Sequence, residues 1–300
     1  MSIKRTLPAW ILALSVVLAV GVLGLTGCSS CSRNNTDADD GEKQETPVYD
    51  DEAPGPTPTE GPVWVLSKET TTYAADDFES SYSTTYELDE HGNTLKATQE
   101  SDEEDPYVTT YEFDEDGFVT KYTTSGYDAT TVTNTLEKDD QGREIMCTSD
   151  DGSTIETVYD AGGYIKRRVF KGTSKTMDEE GNWVDAGTYT TTLTFDADGF
   201  VTASYHGSEA YGYSYTKTYE RDANGNVTSA TTKTIQNDEN GNPDESTATT
   251  ITSKLEFDEN GNLVRVVEEG EGYTNTTVYE YVKVEDPSLY VRLESHLKYL

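Results

Sequence analysis

Residues 107–119 read Tyr-Val-Thr-Thr-Tyr-Glu-Phe-Asp-Glu-Asp-Gly-Phe-Val. Up to Phe113 the chain alternates: Tyr107, Thr109, Tyr111 and Phe113 share one face, and Val108, Thr110 and Glu112 share the other. That is the period of a strand. Asp114 then offers a carboxylate to the backbone ahead of it, and Gly117, three residues on, accepts the left-handed conformation that closes a short hairpin loop. Phe118 and Val119 open the next apolar run. The stretch therefore predicts strand, tight turn and returning strand.

The same unit recurs along most of the chain, and such self-similarity governs the fold assignment. Its turn positions are Asp89 and Gly92, Asp114 and Gly117, Asp139 and Gly142, Asp160 and Gly163, Asp196 and Gly199, Asp222 and Gly225, and Asp258 and Gly261. Tyr189, Thr191, Leu193 and Phe195 repeat the aromatic and Thr-rich alternation, as do Tyr213, Tyr215, Lys217 and Tyr219, and Ile251, Ser253, Leu255 and Phe257. The motif resembles the YD repeat of the RHS and teneurin type over about residues 63–284. That resemblance implies an extracellular recognition module.

The seven Asp positions are separated by 25, 25, 21, 36, 26 and 36 residues. An antiparallel meander must visit one sheet edge, cross, and return. In the short intervals the far turns are Gly- or acid-rich loops at 101–106, 124–128, 149–153 and 206–212. The long intervals each hold an extra Asp-x-x-Gly, Asp178 to Gly181 and Asp238 to Gly241, expected at the tips of longer hairpins on the opposite edge. Uniform turns on one edge and variable loops on the other make the variable edge the expected interaction rim. The crossings give about sixteen strands, more than a flat twisted sheet tolerates. The expectation is an all-β domain, a long antiparallel meander of repeated hairpins in a curved or superhelical sheet, with a split sandwich as the alternative. Asp286-Pro287-Ser288 looks like a helix start, with Leu289, Leu293, Leu297 and Leu300 on one stripe, so 287–300 is expected to be a short capping helix.

Outside this domain lie a leader and a spacer. Lys4 and Arg5 precede Trp10 to Leu25, apolar apart from Ser15, and Leu25-Thr26-Gly27-Cys28 follows. A charged start, a short apolar core and a small-residue exit form a secretory signal over 1–27, too short for a comfortable membrane span. The four residues resemble the lipobox of bacterial lipoproteins. The resemblance implies that Cys28 becomes the acylated first residue of the mature chain, fixed by a diacylglyceryl thioether, because a single acyl chain binds a bilayer only marginally. Residues 28–62 are acidic and contain Pro47, Pro54, Pro56, Pro58 and Pro62. They bury too little surface to offset ordering entropy and are expected to be a disordered tether.

The formal charge of −35 makes nucleic acid an unsuitable partner. Beyond Cys28, Cys31 and Cys147 show no metal-ligand spacing. Asp114-x-Asp116-Gly117 and its analogues offer oxygen ligands, yet lack the distal Glu of a calcium loop, so turn chemistry accounts for them. No metal or cofactor is expected, with calcium as the alternative. Lys166-Arg167-Arg168, with Lys171 and Lys175, forms the one basic cluster, explained by pairing with acidic strands or by docking of an acidic wall polymer. His91, His206 and His296 fall in a turn, a loop and the terminal helix, without a catalytic motif. Threonine-rich strands such as 130–135 supply no apolar lipid face for an outer-membrane barrel. The expected function is that of a non-enzymatic, membrane-anchored, extracytoplasmic envelope protein presenting a binding module for glycan, wall polymer or protein. A ligand-free structural or assembly scaffold is the alternative, and a glycan-active enzyme a more distant one.

Overall fold

The computed structural model describes residues 61–75, 78–101, 105–125, 129–177, 183–208, 212–223, 225–238, 242–270 and 272–298. Sixteen strands follow one another: β1 (Val63–Ala75), β2 (Phe78–Leu88), β3 (Thr94–Ser101), β4 (Tyr107–Phe113), β5 (Val119–Thr124), β6 (Thr131–Lys138), β7 (Glu144–Ser149) and β8 (Thr154–Tyr159). They continue as β9 (Ile165–Met177), β10 (Trp183–Phe195), β11 (Val201–Ser208), β12 (Gly212–Arg221), β13 (Val227–Asn237), β14 (Pro243–Phe257), β15 (Leu263–Gly270) and β16 (Tyr273–Val284). Every strand pairs antiparallel with its sequence neighbours, and β1 pairs with β16 from Val63 opposite Val284 to Ala74 opposite Thr274. The sheet is a closed barrel rather than the open curved sheet or sandwich expected from the sequence.

A local device explains the closure. In all seven Asp-x-x-Gly hairpins the strand register shifts just beside the turn, for example between Glu87 and Leu88, Glu112 and Phe113, and Glu256 and Phe257. The other four shifts lie at Glu137/Lys138, Val158/Tyr159, Thr194/Phe195 and Glu220/Arg221. Each leaves one extra residue on the returning strand, and such bulges bend the strand and sharpen its right-handed twist. Seven bends at one edge curl the sheet until its first and last strands meet, which also removes both exposed sheet edges.

We call the edge carrying these seven turns the turn end and the opposite one the loop end. Strand β9 ends and β10 begins at the loop end, as do β13 and β14; the residues between them, 178–182 and 239–241, lie outside the described residues. At the turn end the C-terminal segment crosses the barrel. Helix α1 covers only Leu289–Glu294, shorter than the expected 287–300. Ser288 is its N-cap and accepts from the Val291 amide at 3.2 Å. Ser295 ends the helix, and Lys298 instead forms a parallel bridge with Phe200. The helix stops because the chain after it bonds to a turn, the Lys298 amide donating to the Gly199 carbonyl at 2.8 Å; ahead of the helix, the Ser288 amide likewise donates to the His91 carbonyl at 3.1 Å. Gly117 and Gly199 permit this close approach. Both have positive φ, 91° and 81°, and a Cβ at either would collide with Ser288 and Asn93, or with the His296 carbonyl.

The main apolar cluster sits beneath this plug. Leu293 and Leu297 are buried with Phe118, Ile165, Leu193, Phe195 and Val201, while Leu289 and Tyr290 pack at its margin. Each buried leucine side chain contributes about 1.5–3 kcal/mol. A second cluster joins Phe200, Val227, Ala230, Leu255, Leu263 and Tyr279. Leu300 lies outside the described residues.

Candidate functional site

Strand alternation sorts the residues into two surfaces. The exterior carries threonines and cross-strand ion pairs: Lys96 to Glu87 and Lys121 to Glu112 at 2.6 Å, Arg265 to Glu256 at 2.8 Å, and Lys254 to Glu269 at 3.1 Å. Among the described residues the large hydrophobic side chains that are exposed are Phe78, Leu95, Tyr205, Val278 and Val282. A spanning barrel needs an apolar belt about 25 Å tall, and Lys or Arg at the bilayer midplane costs about 2–4 kcal/mol.

The interior is aromatic and hydroxylic. Tyr111 and Tyr122 are buried with Ala97 and Val132, and Thr71, Thr84, Thr109 and Thr124 are buried around the wall. Tyr86 donates to Glu69 Oε1 at 3.2 Å, and burial raises the Glu69 carboxyl above its usual range despite that bond and one from Thr84. On β12 Lys217 lies against the Tyr215 ring at 5.6 Å, and burial lowers its ammonium pKa to about 8 against the pull of Glu268. Ser253 Oγ donates to Glu268 Oε1 at 3.0 Å.

Near the loop end three rings from neighbouring strands form a ladder. Tyr189 on β10 lies 5.9 Å from His206 on β11, which lies 5.2 Å from Tyr213 on β12, with interplanar angles of 27° and 31°. His206 Nδ1 is 2.7 Å from Thr191 Oγ1, and burial lowers the imidazole pKa, favouring the neutral ring. Tyr122 of β5 is near enough for the charges of Tyr189, Tyr107 and the loop acids Asp150 and Asp151 to raise its phenol pKa, although burial is the larger cause.

A second charged group ties the plug to the wall. Arg168 of β9 forms an ion pair with Glu294 of α1, and both side chains are largely buried. Glu144, on β7, is pushed up to about 7, chiefly by burial, with Arg168 opposing and Glu294 adding to the shift. Tyr159 Oη donates to the Glu144 carbonyl at 2.8 Å, and Arg143 stacks over the Tyr159 ring at 4.4 Å.

The turn residues singled out in the sequence occupy equivalent places. The amides of Gly92, Gly117, Gly142, Gly163, Gly199, Gly225 and Gly261 donate to the carbonyls of Asp89, Asp114, Asp139, Asp160, Asp196, Asp222 and Asp258 at 3.0–3.2 Å, and all seven glycines have positive φ. Each aspartate also accepts, through Oδ1, from the backbone amide four residues on, as at Asn93, Phe118 and Asn262. At Asp238 the amide donates to the Asn242 carbonyl at 2.7 Å and Oδ1 accepts from the Asn242 amide at 2.8 Å, while Gly241, like Asp178, Gly181 and Cys28, lies outside the described residues. In the turn most like a calcium loop, Asp114 and Asp116 instead hold the Lys138 ammonium at 2.8 and 2.6 Å. No cluster of metal-ligating side chains occurs among the described residues.

Several sequence expectations change. His206 belongs to strand β11, not to a loop, and His296 follows α1, with its Nε2 3.1 Å from the Ala197 carbonyl. The basic cluster is divided by strand alternation: Arg168 points inward to Glu294, Arg167 pairs outside with Glu156 at 3.5 Å, and Lys166 and Lys171 are exposed. Cys147 is a free, buried thiol, pushed up to about 12 by burial. Sequence reasoning missed the Tyr189–His206–Tyr213 ladder because its rings come from three strands whose register only the fold supplies.

No family model and no curated protein matches this chain. Among solved structures, a porin-like protein from Bacteroides uniformis is 15% identical, with a TM-score of 0.39, covering 72% of this chain and 98% of that one. A porin-like protein from Bacteroides vulgatus is 11% identical, with a TM-score of 0.33, covering 73% of this chain and 98% of that one. At such TM-scores the likeness carries no argument about this chain.

Proposed function

We propose that this chain is a non-enzymatic envelope lipoprotein, held outside the cytoplasm through an acylated Cys28, whose barrel stands in water and receives a glycan or protein ligand at its loop end. The observation that carries the reading is the polarity of the barrel: ion pairs and threonines outside, tyrosines and hydroxyls inside. A barrel built to span lipid has the reverse exterior. The leader and the lipobox-like Leu25-Thr26-Gly27-Cys28 supply the anchor, and the acidic segment 29–62 supplies reach. The plug closes the turn end with α1, leaving the variable loops as the side from which a partner approaches.

Metabolic labelling with an alkyne palmitate tests the anchor. The wild-type chain should take up the label and Cys28→Ala should not; equal labelling of both overturns the assignment. For the binding role, residues 61–300, which contain all sixteen strands and the plug, should retain a ligand from a glycan array or from a set of envelope proteins. Retention of none favours the scaffold reading, in which the barrel serves as a ligand-free spacer.

A further inference from the structure

We infer that the loop-end half of the barrel interior is a binding site for a neutral oligosaccharide, contacted through the phenol and imidazole edges of Tyr107, Tyr122, Tyr189, His206 and Tyr213. This rests on the binding-module reading above and names the ligand class of that site. Three observations carry it.

The first is unmet hydrogen-bonding capacity. Among the described residues the hydroxyls of Tyr122, Tyr189 and Tyr213, like that of Tyr279 in the second apolar cluster, have no hydrogen-bond partner, whereas Tyr86 bonds Glu69, Tyr159 the Glu144 carbonyl, Tyr219 the Val201 carbonyl, and Tyr281 the Leu263 carbonyl. None of the three is among the fully buried unpaired atoms of the described residues, so each hydroxyl reaches accessible space. Buried tyrosine hydroxyls normally find partners, and groups left open in a concave interior supply orientation and specificity to a ligand.

The second is geometry. In the ladder adjacent ring centroids lie 5.9 and 5.2 Å apart at interplanar angles of 27° and 31°, so the three rings line one continuous stretch of the wall, with the Tyr189 ring lying against Gly172. His206 spends Nδ1 on Thr191, which leaves Nε2 as the remaining polar edge of that ring. Tyr122 stands across from Tyr189, within mutual electrostatic range, and Tyr107 adjoins Tyr122. A ligand between them meets donors and acceptors from β4, β5, β10, β11 and β12.

The third is charge. Among the described residues the ionisable loop side chains that influence this group are Asp150 and Asp151, both acidic. Burial keeps the Tyr189 phenol protonated, its pKa pushed up to about 12, so it serves as a neutral donor. An anionic wall polymer is repelled here, and apolar ligands leave the hydroxyls unpaired. A chain of neutral sugars, with a donor and acceptor at nearly every carbon, matches what the wall offers.

Calorimetric titration of residues 61–300 with maltohexaose, cellohexaose, chitohexaose and mannohexaose, with tetragalacturonate as the anionic comparison, tests the inference. At least one neutral hexasaccharide should bind and tetragalacturonate should not. Tyr189→Phe and Tyr213→Phe remove only hydroxyls and keep the ladder; each should weaken binding about fivefold, and the double variant by an order of magnitude or more, at unchanged thermal stability. Binding of a neutral hexasaccharide that both variants leave intact overturns the site while the binding-module reading stands. Capture of an envelope protein, with no hexasaccharide bound, overturns the ligand class. Preference for tetragalacturonate overturns the charge argument and the inference with it.

Discussion

Glu144→Gln tests the electrostatics of the plug. Glu144 sits in the wall beneath α1, and burial pushes its carboxyl from 4.5 up to about 7, even with Arg168 nearby. A raised carboxyl pKa means that the folded chain holds a proton that the unfolded chain releases. Between pH 4.5 and 7 the unfolded state therefore binds fewer protons, and stability falls as pH rises through that window. One pKa unit corresponds to about 1.36 kcal/mol, so ionisation of this one group removes up to about 3 kcal/mol by pH 8. Glutamine keeps the shape and cannot ionise. Urea denaturation of both proteins at pH 4.5 and pH 8 should give nearly equal stabilities at the lower pH and a variant more stable by about 2–3 kcal/mol at the higher one. The general loss from crowded carboxylates is common to both proteins and cancels in the comparison. Equal pH profiles would refute the reasoning, and a variant weaker than wild type at pH 8 would mean that the Arg168 attraction exceeds the burial cost.

Three further outcomes are expected. Arg168→Met removes the guanidinium that pairs with the largely buried Glu294 and should cost about 3–5 kcal/mol in chemical denaturation, part of it recovered by adding Glu294→Gln. Gly117→Ala places a Cβ against Ser288 and Asn93 at a backbone φ of 91°, whereas Gly152→Ala meets open space at φ 89°. Gly152→Ala should cost about 1–2 kcal/mol from the left-handed conformation alone, and Gly117→Ala measurably more, with loosened proteolytic protection of the C-terminal segment. Cys147, buried with its thiol pushed up to about 12, should resist a thiol-specific reagent in the folded protein at pH 8 and react fully in urea.

Much of the architecture was legible because each level of sequence pattern agreed. The Asp-x-x-Gly unit marked the uniform turns, the Tyr and Thr alternation marked the two faces, and the interval lengths placed the β9–β10 and β13–β14 connections on the opposite edge. Closure was not legible. It depends on one residue out of step at each turn, such as Leu95 between Lys96 opposite Glu87 and Thr94 opposite Leu88, and on pairing between strands more than two hundred residues apart. Local periodicity carries no information about the second condition. The helix was overextended because Leu297 continues the leucine spacing, although Lys298 is drawn into backbone bonding at Gly199. The interior ladder was hidden for a related reason: Tyr189, His206 and Tyr213 look like three ordinary strand residues until the register aligns them.

The central claim is that this closed barrel stands in water with its polar face outward. Flotation of residues 61–300 with phospholipid vesicles, purified without detergent, tests it most directly. The account predicts a monodisperse β-rich protein that stays in the dense fraction and leaves a planar bilayer without conductance. Rising with the vesicles, needing detergent to remain in solution, or opening channels in that bilayer would contradict it.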